Sequence, residues 1–193
     1  IIKTAFESDV NRLLFLGSSC IYPKLCPQPI KEEYLLTDSL EETNQWYAIA
    51  KISGIKLCEA LRIQYNFDAI SLMPTNLYGP GDNYHPTDSH VLPALISKFY
   101  KAKKNKDNEV ICWGDGSPLR EFMHVDDLAD ACIFVLENWD PSDSKSPKDK
   151  DGKPLTFLNV GTGKDISIKE LTTIISKYIG YEGDIIWDKN KPN

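Results

Sequence analysis

The sequence predicts an α/β protein with a parallel sheet, and three features carry that expectation. Short unbroken apolar runs at Leu13-Leu14-Phe15-Leu16, Ala69-Ile70-Ser71-Leu72-Met73 and Leu155 to Val160 read as strands buried on both faces, as parallel strands are. Segments with helical spacing lie between them. Clusters of Gly, Pro, Ser and Asp punctuate each change of pattern.

In chain order, residues 1 to 11 read as the tail of a helix running into the first strand. The opening Ile1-Ile2-Lys3, without a Met, and the abrupt close at Asn190-Lys191-Pro192-Asn193 read as the bounds of a piece of something longer. Gly17-Ser18-Ser19 ends the first strand. Residues 23 to 44 hold three prolines and finish on Thr43-Asn44, residue types that cap helices. A helix from about Gln45 to Tyr65 follows, with Ala50, Gly54, Leu57, Cys58, Leu61 and Tyr65 as its expected apolar face. Two prolines and two glycines between Pro74 and Asp82 predict irregular chain after the second strand. Beyond it come a helix at Val91 to Lys103, a strand at Val110 to Trp113, a Gly114-Asp115-Gly116 turn and a short strand near Phe122. Asp126 or Asp127 is suited to capping a helix that reaches Asn138. Asp140 to Lys153, rich in Pro, Ser, Lys and Asp, reads as a solvated connector. Ser167-Ile168-Lys169-Glu170 has the spacing of a capping box and opens a helix to about Tyr178.

Composition narrows the function. The 193 residues, 41% hydrophobic, 10% aromatic and 26% charged, suffice for one domain or one and a half with a sizeable core. A formal charge of −6 argues against nucleic acid or an anionic membrane as the main partner, because a polyanion is repelled on average. The apolar runs end well before the roughly 18 residues a membrane span needs, and the first residues do not read as a secretory leader. Five cysteines (Cys20, Cys26, Cys58, Cys112, Cys132), an odd number with no C-x-x-C pair, favour reduced thiols in a cytosolic protein. No cluster of residues has metal-ligand spacing, so no metal is expected.

The chemistry concentrates around Tyr47 and Lys51, four apart on the predicted helix. At that spacing two side chains share a face about 5 to 6 Å apart at Cβ, so an ammonium sits beside a phenol. A cation so placed favours phenolate; moving a phenol down by about 3 pKa units takes about 4 kcal/mol of differential stabilisation. The result is an acid or base usable near neutrality. Ser18 lies at the carboxyl end of a parallel strand, where open α/β sheets bind ligands, and its hydroxyl suits a carbonyl that the phenol protonates. A Y-x-x-x-K match alone occurs in many helices without a catalytic reason. The strand ending in Gly-Ser-Ser and the following Pro74-Thr75-Asn76 supply its context.

The runs Leu16-Gly17-Ser18-Ser19-Cys20-Ile21-Tyr22-Pro23-Lys24, Tyr47-Ala48-Ile49-Ala50-Lys51 and Pro74-Thr75-Asn76-Leu77-Tyr78-Gly79-Pro80 resemble an extended short-chain dehydrogenase/reductase. More narrowly, Cys20, the stretch His85 to Leu95 and Arg120-Glu121-Phe122-Met123-His124-Val125-Asp126-Asp127 resemble the GDP-L-fucose synthase family, over essentially the whole chain. The resemblance implies a Rossmann-like doubly wound parallel sheet, here its C-terminal part only, with a smaller mixed α/β substrate domain. Residues 1–80 and 126–160 would be the remnant of the dinucleotide-binding domain, and 81–125 with 161–193 the GDP-sugar domain. It implies NADP(H), and conversion of GDP-4-keto-6-deoxy-D-mannose to GDP-L-fucose by inversion at both carbons beside the ketone and reduction of the ketone. Cys20 and His90 match the acid/base pair, Tyr47 and Ser18 the groups on the keto oxygen, and Lys51 the ribose-holding cation. Leu16, Gly17, Ser18, Ser19, Lys51, Pro74, Thr75, Asn76, Leu77 and His90 fall at cofactor positions, and Lys98, Trp113 and Arg120 at GDP-sugar positions. It further implies a homodimer through the helix at 45–65.

Each of these residues also has an ordinary reading. A cysteine just past a strand is commonly inert packing, and His90 is placed to cap the next helix. Trp113 on a short strand suits a core, and Lys98 a solvated helix face. His85 and His124 match no catalytic position and read as structural. The chain departs from the family in its phosphate cradle: Gly161-Thr162-Gly163 follows a strand but has Ile166 where a third glycine is needed. The family's cradle would precede Ile1, so the isolated chain is expected to bind NADPH weakly and its first strand to present an apolar edge that invites association. Asn193 stands where the family has Asp. Two alternatives remain open at this point, another sugar-nucleotide epimerase or dehydratase of the same fold and a catalytically inactive sugar-nucleotide-binding module.

Overall fold

The structure is a computed structural model that describes residues 1–85 and 88–191; Pro86 and Thr87 of the motif stretch, and Asn193, lie outside the described residues. The chain forms two compact units, one of residues 1–75 and 125–161, the other of 76–124 and 162–193.

The first unit holds a three-stranded parallel sheet in the order β1 (Leu13–Leu16), β2 (Ala69–Pro74), β6 (Phe157–Val160). Every residue of central β2 is buried, because both of its neighbours and both of its faces are covered. Helix α2 (Gln45–Tyr65) packs with Met73 and Phe157 on one face, and α4 (Val125–Asn138) packs on Ile70 and Leu72 on the other. The strand alternation of β2 thus feeds two separate clusters. A short helix, α1 (Ile2–Glu7), adds Ile2 to a third cluster with Cys58, Leu61 and Phe67. Arg12 and Arg62 both pair with Asp68, and Arg12 also donates to the Leu136 carbonyl at 2.6 Å, which ties the end of α4 to the sheet.

Four expectations are corrected in this unit. Strand β1 is half-buried rather than buried on both faces, and Leu16 is 39% exposed, because β1 is an edge of the sheet. The buried face of α2 is Ala48, Ile52, Ile55, Cys58 and Leu61, with Leu57 and Tyr65 exposed. Apolar residues surround this helix, so spacing alone did not define which stripe faces the sheet. The Asp140–Lys153 connector is pinned down: Pro141 is fully buried, and Lys153 binds Glu59 of α2 at 2.8 Å. Asp126 and Asp127 occupy the first turn of α4 instead of preceding it, where carboxylates favour the helix dipole.

The second unit carries a sheet ordered β3 (Asn76–Tyr78), β5 (Leu119–His124), β7 (Asp165–Ser167), and a parallel pair of β4 (Glu109–Trp113) with β8 (Asp184–Asp188). Strand β3 overturns the irregular chain expected after Pro74. Its three residues pair with β5, and Asn76 Nδ2 donates to the Glu121 carbonyl at 2.9 Å, so pairing supplies what propensity does not. Helices α3 (Val91–Asn105) and α5 (Ile168–Ile179) bury Leu92, Leu95, Phe99, Leu171 and Ile175 against Val110 and Cys112. The capping box of α5 is formed by Ser167 and Glu170 in both directions.

Candidate functional site

In the first unit the chain leaves β1 through Gly17, whose N–H donates to the Leu72 carbonyl at 2.8 Å. A Cβ at Gly17 would collide with the Met73 sulfur, so the close approach of two strands requires glycine here. Ser18 is extended, and its hydroxyl oxygen accepts from the Cys20 N–H at 3.2 Å, opening a 3₁₀ turn at Ser19–Ile21. That bond leaves the serine proton free to be donated. Ile21 and Tyr22 are buried against α2, while Cys20 between Ser19 and Ile21 is exposed. All five cysteines are free thiols. Burial pushes the thiols of Cys26, Cys58, Cys112 and Cys132 up, which suits them to packing; Cys20 is the exposed member of the set.

Helix α2 brings Tyr47 and Lys51 to this strand end. The Lys51 ammonium donates to the Leu16 carbonyl at 2.8 Å and lies 5.6 Å from the centre of the Tyr47 ring. One N–H of the three is therefore spent on the backbone, and two remain for a ligand. Tyr47 is 45% exposed. Asn44 stands at the N-cap of α2 but makes no side-chain cap bond, contrary to the expectation for Thr43-Asn44; its amide donates to the Cys20 carbonyl at 3.4 Å. Pro74 closes β2, and the Thr75 N–H donates to Val160. The cofactor run expected at 74–77 continues into the second unit, where Asn76 and Leu77 belong to β3.

In the second unit Lys98, Trp113 and Arg120 line one cavity of about 670 Å³, together with Ser89, Lys101 and Trp187. Among the described residues its lining contains two lysines, an arginine and His85, and no carboxylate, in a chain of net charge −6. Such a lining suits an anion. The Lys98 ammonium donates to the Ile111 carbonyl at 2.7 Å, and Arg120 to the Leu119 carbonyl at 2.8 Å. Trp113 is not core: it is 60% exposed, with the Lys191 ammonium 5.8 Å from its ring centre. The Trp187 indole lies where a Cβ at Gly116 would be, so the left-handed Gly114-Asp115-Gly116 turn rests on it. His90 occupies the N-cap of α3 without a side-chain cap bond, which removes the capping reading, and it does not line the cavity. His85 pairs with Asp88 at 3.1 Å, and His124 stacks edge-on with Tyr78.

Sequence reasoning missed Ser89, Lys101 and Trp187. Lys101 lies one turn from Lys98 on α3, and the alternation of Asp184 to Asp188 could have revealed Trp187; nothing in the sequence marks Ser89. The Gly161-Thr162-Gly163 turn does not act as a phosphate cradle, since the Glu121 carboxylate accepts from the Gly163 N–H at 2.7 Å and the Thr162 hydroxyl at 3.1 Å. Among the described residues there is no metal-binding cluster of three or more His, Cys, Asp or Glu, and no helix is long and apolar enough to cross a membrane.

A strand-end serine, and a tyrosine and lysine one helical turn apart, thus stand at the carboxyl end of a doubly covered parallel sheet, and the chain belongs to the NAD dependent epimerase/dehydratase family, whose model matches residues 1–147. Across its full length it is 55% identical to GDP-L-fucose synthase 1 of Arabidopsis thaliana and 51% identical, over 201 aligned positions, to GDP-L-fucose synthase of Escherichia coli K12. It covers 56% and 59% of those two proteins, so the chain spans somewhat over half the length of the curated relatives it matches. Among solved structures it superposes on a GDP-L-fucose synthetase from Naegleria fowleri bound to NADP with a TM-score of 0.83 at 26% identity, covering all of this chain and 58% of that one.

Proposed function

We propose that this chain is the substrate-facing part of an enzyme that converts GDP-4-keto-6-deoxy-D-mannose to GDP-L-fucose with NADPH. The observation that carries the reading is the grouping, at one strand end, of an exposed thiol, a serine hydroxyl and a lysine-flanked phenol. The names of the relatives supply the substrate.

A ketone acidifies the C–H bonds on both sides, so inversion needs a base on one face of the carbon and an acid on the other, and the enolate oxygen needs a donor. Cys20 and His90 exchange protons at the two carbons, and Ser18 donates to the ketone oxygen. Tyr47 holds the same oxygen, gives it a proton at reduction and recovers one from solvent, while Lys51 biases that proton and grips the nicotinamide ribose. NADPH, when bound, supplies the hydride that turns the C4 ketone into an alcohol. The donors at the end of β1 fit that nicotinamide end, with two ammonium N–H groups and an exposed phenol available. Lys98, Trp113 and Arg120 hold the GDP moiety; Arg120 suits the diphosphate through bidentate charge-assisted bonds. Residues 1–80 and 126–160 serve the dinucleotide, and 81–125 with 161–193 the GDP-sugar.

The α2 face bearing exposed Trp46, Ile49 and Leu57 forms a homodimer contact in this reading. Five free thiols suit a reducing, cytoplasmic setting. The test is Tyr47→Phe in the full-length protein, followed by NADPH oxidation and by solvent-deuterium incorporation at the two carbons. Loss of oxidation with incorporation retained supports the assignment; oxidation at the parent rate defeats it.

A further inference from the structure

The turn that presents Cys20 is fixed on three sides by bonds of different kinds. Behind it, Ile21 is fully buried among Ala48, Ile52 and Ile55 of α2. Beyond it, the Tyr22 hydroxyl donates to Asn159 Oδ1 at 2.6 Å, and the Asn159 backbone N–H in turn donates to Glu32 Oε1 at 2.8 Å. In front, the Cys20 N–H is taken by Ser18. The outward-facing Cys20 carbonyl is the remaining handle of this peptide, and the side chain that reaches it is Asn44, 24 residues away.

Asn44 is one of the best N-cap residues and sits at an N-cap, yet its side chain does not cap α2. Its backbone, at φ −120° and ψ 1°, lies outside the extended region in which an N-cap side chain reaches its own helix, and its amide reaches the turn instead. Three residues further on, the same helix carries Tyr47. The Asn44 bond therefore spans the carbonyl of the thiol residue and the first turn of the helix that holds the phenol.

We infer that Asn44 is a positioning residue for proton transfer at Cys20: its amide sets the distance between the Cys20 thiol and the Tyr47 phenol, and so whether a ketone held by the phenol offers its neighbouring carbon to the sulfur. The inference deepens the function proposed above and rests on Cys20 being one of the exchanging groups. Reacting atoms tolerate little misplacement; about 1 Å costs up to about 100-fold. The hydride step needs no proton from Cys20, and Lys51 ties α2 to β1 independently through the Leu16 carbonyl. The two activities thus separate on changing Asn44.

Asn44→Asp discriminates best. The carboxylate is favoured electrostatically at a helix N-terminus, but it has no N–H to donate to Cys20 and repels the carbonyl. In the full-length protein, solvent-deuterium exchange into GDP-4-keto-6-deoxy-D-mannose without NADPH is expected to fall about tenfold or more in kcat with KM unchanged. The hydride step run backwards, NADP⁺ reduction by GDP-L-fucose, is expected to stay within about twofold. The melting temperature holds or rises. Asn44→Ala, which removes the donor and offers no side-chain cap, gives the same division without the gain in stability. Exchange at the parent rate in Asn44→Asp, or equal loss of exchange and hydride transfer, overturns the assignment, as does a lowered melting temperature accompanying both losses. Cys20→Ser is run alongside: if that variant exchanges normally, it is the reading of Cys20 that fails, and the two failures are told apart.

Discussion

The ammonium of Lys51 stands 5.6 Å from the centre of the Tyr47 ring, one turn along the same helix, while bonded to the carbonyl that ends β1. A single cation is shared between the end of that strand and the phenol beside it. Lys51→Met removes the charge but keeps much of the stem. We expect at least a 100-fold loss of NADPH oxidation, the scale of general acid–base catalysis, with a stability change below about 1 kcal/mol because the bond to Leu16 is near the surface. Steady-state kinetics beside urea titration reads both; a variant with normal turnover would contradict the role.

Gly54 sits mid-helix, where alanine ordinarily improves stability by about 1 kcal/mol. Here an added Cβ would run into the Phe15 ring of β1. Gly54→Ala is expected to destabilise by about 1 to 3 kcal/mol, since overpacking outweighs propensity. A higher denaturant midpoint would show that the ring moves aside freely.

The cation-lined cavity makes a salt-dependent claim. Arg120→Ala is expected to weaken GDP binding about 10- to 100-fold, the worth of a hydrogen bond to a charged group, and to flatten the dependence of affinity on ionic strength. Titration of tryptophan fluorescence in the full-length protein at two salt concentrations reads this, with Trp113 and Trp187 in the lining as reporters. Unchanged affinity would remove the cavity from the nucleotide site.

Glu59 gives a pH dependence whose sign is fixed. Burial pushes its carboxyl up, but the ammoniums of Lys153 and Lys56, at 2.8 and 2.7 Å, more than offset this and hold it below the ordinary carboxylate range. A depressed folded pKa means stabilisation that is present above the unfolded value and lost as pH falls through the folded one. Glu59→Gln is expected to cost up to about 1 kcal/mol near neutrality and almost nothing at the acid end of the transition. Parallel melting curves for both proteins across the acid range would expose the opposite trend.

Much of this architecture was legible because local chemistry and tertiary packing agree. The apolar runs of β1 and β2, the periodic segments of α3 and α5, and the Ser167–Glu170 box each form where their residues favour them. Two kinds of feature were hidden. Strand β3 exists through its ladder with β5, and β7 is likewise three residues long, too short for alternation to register. On α2, apolar side chains at Trp46, Ile49 and Leu57 remain exposed beside a buried stripe at Ala48, Ile52 and Ile55, so the sequence offered two faces and the sheet took one. At the strand end, Ser18, Cys20, Tyr47 and Lys51 could be named from spacing and resemblance. That Asn44 turns away from its own helix depends on a carbonyl 24 residues distant, which no local pattern encodes.

Each unit is assembled from two separate stretches of chain, and the sheet registers set when each can close. Strand β2 awaits β6, whose residues pair with it from Ser71↔Phe157 onward, and β4 awaits β8, from Glu109↔Asp184 onward. A ribosome emitting this polypeptide in order must therefore release Asp188 before the second ladder can zip, leaving Val110 and Cys112 without their partners meanwhile. No single proteolytic cut can liberate either half intact, and a crossover joining this chain to a divergent relative would have to exchange two segments at once to keep one core self-consistent.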